Sequence, residues 1–66
     1  MSLNSKEEIW LEICRSKYPD ISEAAAIAMS MQAASEYYLG GDPIMVEMFD
    51  QYVMLKTIKG IDNGNQ

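Results

Sequence analysis

Few side chains in this sequence could carry out chemistry. The 66 residues include no histidine and one cysteine, Cys14, so the sequence offers no imidazole base and no Ser-His or Cys-His pair. A single cysteine cannot close an internal disulfide, and zinc sites normally need several Cys or His ligands. Cys14 falls on an apolar helical stripe, where we expect an unreactive thiol. We therefore predict that the chain is not an enzyme and that it uses no cofactor and no metal.

Two pairs of carboxylates have the spacing of neighbours on a helix surface. Glu8 and Glu12 are four residues apart, and Glu47 and Asp50 are three residues apart;. Such pairs can bind a hard cation or exchange a proton. No Glu-x-x-His motif accompanies them, so we interpret both pairs as solvated surface.

Four basic residues form a possible anion-binding site. They are Arg15 and Lys17 near the predicted end of the first helix, and Lys56 and Lys59 near that of the third. In an up-down-up bundle these two ends lie at the same pole, where the cations could bind a nucleotide or a similar small anion. The alternative interpretation is that they only offset the helix dipoles.

The acidic balance of the chain limits its partners. Ten Asp and Glu residues against five Lys and Arg residues give a formal net charge of −5, which repels duplex DNA. We therefore expect no direct binding of nucleic acid. An acidic mimic of DNA remains an alternative function, although the acids are spread along the chain rather than gathered on one helix.

Start and stop signals divide the chain into three helices. We expect an N-terminal extension at residues 1–4, a three-helix domain at 5–60 and a flexible tail at 61–66. The three helices are expected at about 6–17, 22–39 and 43–59. No stretch alternates with a period of two, so we predict no strand. The predicted fold class is all-α, a three-helix bundle.

The expected helix ends rest on short local signals. A capping box, in which Ser5 pairs with the amide of Glu8, opens the first helix;. Asp20 or Ser22 caps the second helix. Gly40 then supplies the left-handed conformation with which that helix ends.

We expect neither a membrane span nor a secretory signal. No apolar stretch approaches the length of about 18 residues that a span needs, and the first residues lack a basic and then apolar layout;. Together with the lone thiol, these features predict a cytoplasmic protein without membrane contact.

The chain contains more apolar surface than three short helices can bury among themselves. From Ala24 to Ser35 the second helix has no charged residue, and two opposite faces are apolar or small;. A lone core is marginal in a chain of this size, and the usual remedies are disulfides, metals or oligomerisation. We therefore predict self-association into a dimer or a higher symmetric oligomer.

We divide the apolar residues into two sets. The core set, expected inside one chain, comprises Trp10, Ile13, Ile27, Met31, Met48, Tyr52 and Leu55. The interface set, expected to contact a second copy or a protein partner, comprises Ala26, Met29, Ala33, Val46, Phe49 and Val53. The alternative is one thick core within the chain, with the alanines of the second helix facing solvent.

These features predict a small non-enzymatic helical module for protein interaction. We expect it to act as a homo-oligomeric accessory regulator or inhibitor of a partner protein. Two other functions remain open: an oligomer that binds or sequesters a small anionic ligand such as a nucleotide, and the acidic DNA mimic.

Overall fold

A computed structural model describes residues 3–60 of the chain. This part consists of three α-helices, α1 (Ser5–Lys17), α2 (Glu23–Leu39) and α3 (Pro43–Ile58), with no strand among the described residues. Each helix packs against the other two, so the predicted all-α three-helix bundle is confirmed. The expected tail at 61–66 and the first two residues of the expected extension lie outside the described range.

Helix α1 begins one residue earlier than its predicted capping box. The side chain of Asn4 accepts a hydrogen bond of 2.8 Å from the amide of Glu7, and Glu7 accepts one of 3.1 Å from the amide of Asn4. The predicted Ser5–Glu8 box is therefore wrong. Asparagine caps a helix at least as well as serine, and this start places Leu3 against the hydrophobic core.

The ends of α2 and the start of α3 follow their local signals. Of the two predicted caps of α2, Ser22 is the one observed, and its hydroxyl accepts a hydrogen bond of 3.1 Å from the α2 backbone. Gly40 adopts the predicted left-handed conformation, with φ of 69°. Asp42 caps α3, and Pro43 occupies its first turn, where a missing amide proton costs no hydrogen bond.

The core forms around a single tryptophan. Trp10 of α1 is 2% exposed, and its indole Nε1 donates a hydrogen bond of 2.7 Å to the carbonyl oxygen of Ala26 in α2. The other buried residues are Ile9, Leu11, Ile13, Cys14, Ala26, Ala33 and Met48. No buried side-chain nitrogen or oxygen within residues 3–60 lacks a hydrogen-bond partner.

Helix α2 packs against the core with the apolar face that we expected to contact a partner. Ala26 and Ala33, assigned to the interface set, are fully buried within the chain, whereas Met31, assigned to the core set, is 78% exposed. The physical reason is the bulk of Trp10, since only small side chains on α2 allow its backbone to approach the indole ring. These three assignments are therefore corrected.

None of the helices among residues 3–60 is long and apolar enough to cross a lipid bilayer.

Candidate interaction surface

Helix α2 carries an exposed apolar ridge. It consists of Ile27, Met31, Ala34 and Tyr38, which follow one another at intervals of four, three and four residues. Met31 and Tyr38 are 78% and 79% exposed, and the other two are half-buried. Such intervals are typical of a helix that packs along another helix. We call these four residues the α2 ridge.

The α2 ridge borders a groove of about 360 Å³. Three of its residues, Ile27, Met31 and Ala34, line one side of the groove. Phe49 and Tyr52 of α3 line it as well, and the indole of Trp10 reaches it from α1. The groove is thus open to solvent and lined largely by apolar and aromatic side chains, which is the usual character of a binding surface.

Phe49 connects the aromatic side chains around the groove. Its ring centroid lies 6.1 Å from that of Trp10, 5.2 Å from that of Tyr52 and 5.1 Å from that of Tyr37. The exposed Tyr38 ring is 6.5 Å away. The rings are tilted against one another, an arrangement that aromatic quadrupoles favour. The α3 side of the groove therefore packs directly against the hydrophobic core.

Two lysines stand at the edge of the groove. Lys6 of α1 and Lys56 of α3 both line it, and the Lys56 ammonium lies 4.6 Å from the centroid of the Tyr52 ring, within the range of a cation–π contact. Glu7 lines the groove too, but its carboxylate accepts the hydrogen bond from the Asn4 amide. The lysines outnumber this acid, although the whole chain carries a net charge of −5.

The remaining residues of the two predicted sets divide between the core and the surface. Four residues of the interface set are half-buried: Met29, Val46, Phe49 and Val53. Two of them, Met29 and Phe49, pack against the core.

The core set includes three buried residues, Trp10, Ile13 and Met48. It also includes three half-buried ones, Ile27, Tyr52 and Leu55. From the interface set, Phe49 is the residue that reaches the groove.

Three of the four predicted anion-binding cations line separate pockets. Lys59 shares a small pocket with Glu8 and Glu12 of α1, and Arg15 lines another pocket that includes the same two carboxylates. Lys56 lies at the groove beside Lys6. The anion site formed by all four cations therefore stays a prediction.

The groups considered for catalysis or metal binding stand apart from the groove. Cys14 is fully buried, and burial raises the pKa of its thiol from the ordinary value of 9.0 to about 11. The thiol is therefore protonated and shielded at neutral pH, as expected for an unreactive cysteine. Among residues 3–60, no three His, Cys, Asp or Glu side chains are grouped so that they could hold a metal ion.

The sequence contained signals for parts of the groove that our predictions missed. The ridge residues were recognised as one apolar face, but that face was assigned to the core. Lys6 was not singled out, although it lies in the first turn of α1, where the helix dipole disfavours a cation;.

Comparisons of the chain with protein-family models, curated proteins and solved structures find no match. The function of the groove is therefore argued from its own residues and geometry.

Proposed function

We propose that this chain is a non-enzymatic helical module for protein interaction, which self-associates and serves as an accessory regulator or inhibitor of a partner protein. The observation that supports the proposal is the α2 ridge, where Met31 and Tyr38 are more than three-quarters exposed beside a groove with aromatic sides. Contiguous apolar surface of this kind marks interaction sites in soluble domains.

The ridge has the features of a surface that receives another helix. Its spacing suits helix packing in an apolar groove, and the flexible thioether of Met31 adapts to the shape of a partner. The buried thiol of Cys14 gives no accessible nucleophile. On this proposal the protein acts on its partner by binding and covering it, without a chemical step.

A second copy of the chain is the first partner that we propose. Helix α2 has no charge from Ala24 to Ser35, so two acidic chains can meet along it without like charges in contact. In an antiparallel two-fold pairing centred between Met31 and Ala34, each Met31 faces an Ala34, and each Ile27 faces a Tyr38. The small Ala34 then lies opposite the large Met31 at the centre, where the two helices can approach closely.

Solution mass tests the proposal directly. We expect light scattering at increasing micromolar concentrations to show a dimer or a higher oligomer. The Met31→Glu variant should weaken self-association about thirtyfold or more, because truncated or charged central anchors of an interface typically cost about 2 kcal/mol or more. Met31 is 78% exposed, so circular dichroism should show that the monomer fold persists.

Met54→Glu is the matched control. Met54 is also exposed, at 56%, but it lies on α3 and is not among the residues that line the groove. Its variant should keep the mass of the unchanged protein. A monomer at every concentration contradicts the proposed self-association, and equal loss of assembly in both variants contradicts its placement on the α2 ridge.

A further inference from the structure

The charge around the groove differs from that of the molecule as a whole. Lys6 and Lys56 supply two of the five basic residues of a chain with ten acidic ones, and both line the groove. Glu7, the acid that lines it with them, accepts a hydrogen bond from the amide of Asn4. The lining of the groove thus carries two positive charges and one negative charge, on a chain with twice as many acidic as basic residues.

The helix dipoles account for one of these two lysines. Lys56 is in the last turn of α3, where the dipole favours a cation, and its ammonium lies over the face of Tyr52, 4.6 Å from the ring centroid;. Lys6 is exposed in the first turn of α1, where the dipole disfavours a cation;. Both lysines border the groove.

We propose that the protein partner of this groove is an acidic amphipathic helix, whose apolar side chains enter between the α2 ridge and Phe49 and whose carboxylates pair with Lys6 and Lys56. The inference rests on the proposed function and names the chemistry of the partner. A volume of about 360 Å³ accommodates side chains rather than a whole helix, so the helix lies along the groove and inserts one face. Complementary charge selects an acidic helix over a basic one and speeds its association.

Two synthetic helical peptides test the charge preference. The first carries leucines at intervals of four and three residues with glutamates beside them, and the second replaces each glutamate by lysine. Binding is followed by fluorescence anisotropy of labelled peptide, at a protein concentration where light scattering gives the monomer mass. The acidic peptide should bind about fivefold more tightly than the basic one, as expected for two exposed ion pairs. This difference should shrink in 1 M salt, where the Debye length is about 3 Å.

Charge reversal of the two lysines identifies the residues that set the preference. The double variant Lys6→Glu and Lys56→Glu should reverse the preference and bind the basic peptide more tightly. Lys17→Glu is the matched control, because Lys17 lies in the last turn of α1 and is not among the residues that line the groove. It should leave the preference unchanged, and circular dichroism should show the same helicity for all variants.

The outcomes separate this inference from the proposed function. Equal binding of the two peptides, or a preference that survives charge reversal, contradicts the proposal that the partner is acidic. Either result leaves the proposal that the groove binds a helix intact. Self-association through Met31 without binding of either peptide also overturns the inference and leaves the second copy as the occupant. A protein that neither self-associates nor binds either peptide overturns both proposals.

Discussion

The indole Nε1 of Trp10 donates a hydrogen bond of 2.7 Å to the backbone carbonyl oxygen of Ala26, sixteen residues further along the chain. This contact joins α1 to the first half of α2 and fixes which face of α2 lies against the core. It also explains why the larger ridge residues, among them Met31, remain at the surface. The position of the proposed interaction site is therefore a consequence of how one aromatic side chain is accommodated.

The Trp10→Phe substitution should destabilise the fold. It removes the Nε1 donor and leaves unfilled volume at a site that is 2% exposed, and together these losses correspond to about 1–3 kcal/mol. Urea denaturation followed by circular dichroism measures the free energy of unfolding. A change within error would mean that the indole is not packed against Ala26 in solution.

The orientation of α2 can be tested by enlarging one small residue on each face. Ala26→Leu should cost roughly 1–3 kcal/mol or more, because Ala26 is fully buried against the core;. Ala24→Leu is the control, since Ala24 is exposed on the same helix and leucine has nearly the same helix propensity as alanine. Equal stability of the two variants would show that α2 presents its other apolar face to the core.

The start of α1 gives a third prediction, which compares two neighbouring residues. Asn4→Ala should lower the free energy of unfolding by about 1 kcal/mol, because its side chain accepts the hydrogen bond from the amide of Glu7;. Ser5→Ala should have little effect, since Ser5 is the first helical residue rather than the cap. The reverse order of the two costs in thermal or urea denaturation would restore Ser5 as the cap.

Most features that depend on a few neighbouring residues could be predicted from the sequence, and those that depend on distant contacts could not. The caps at Ser22 and Gly40 follow from local hydrogen bonding and backbone conformation. The start of α1 is the exception, because Asn4 and Ser5 are adjacent and both residue types cap helices well;. The orientation of α2 was ambiguous, because both of its faces are apolar and the choice depends on Trp10 in another helix. The position of Lys59 beside Glu8 and Glu12 likewise depends on how α3 lies relative to α1, which no local pattern encodes.

Burial of Cys14 predicts a pH dependence of stability. Burial raises the pKa of the folded thiol from the ordinary value of 9.0 to about 11, so between these values the unfolded chain ionises first and stability falls as pH rises. We expect Cys14→Ala to be less stable than the unchanged protein at neutral pH, and the difference to narrow between pH 9 and 11. Denaturation midpoints across this range measure the effect. An unchanged difference would contradict a buried thiol.

The second copy and the acidic helix should compete, because both proposals place a helix against the α2 ridge. Addition of the acidic peptide to the self-associated protein should lower the mass measured by light scattering toward that of one chain with one peptide. The apparent dissociation constant of the peptide should rise with protein concentration, since more of the protein is then paired with itself. The matched basic peptide, at the same concentration, should reduce the mass less. An increase in mass, to that of a dimer with two bound peptides, would show instead that self-association leaves the groove between Met31 and Phe49 open, and that the two surfaces are separate.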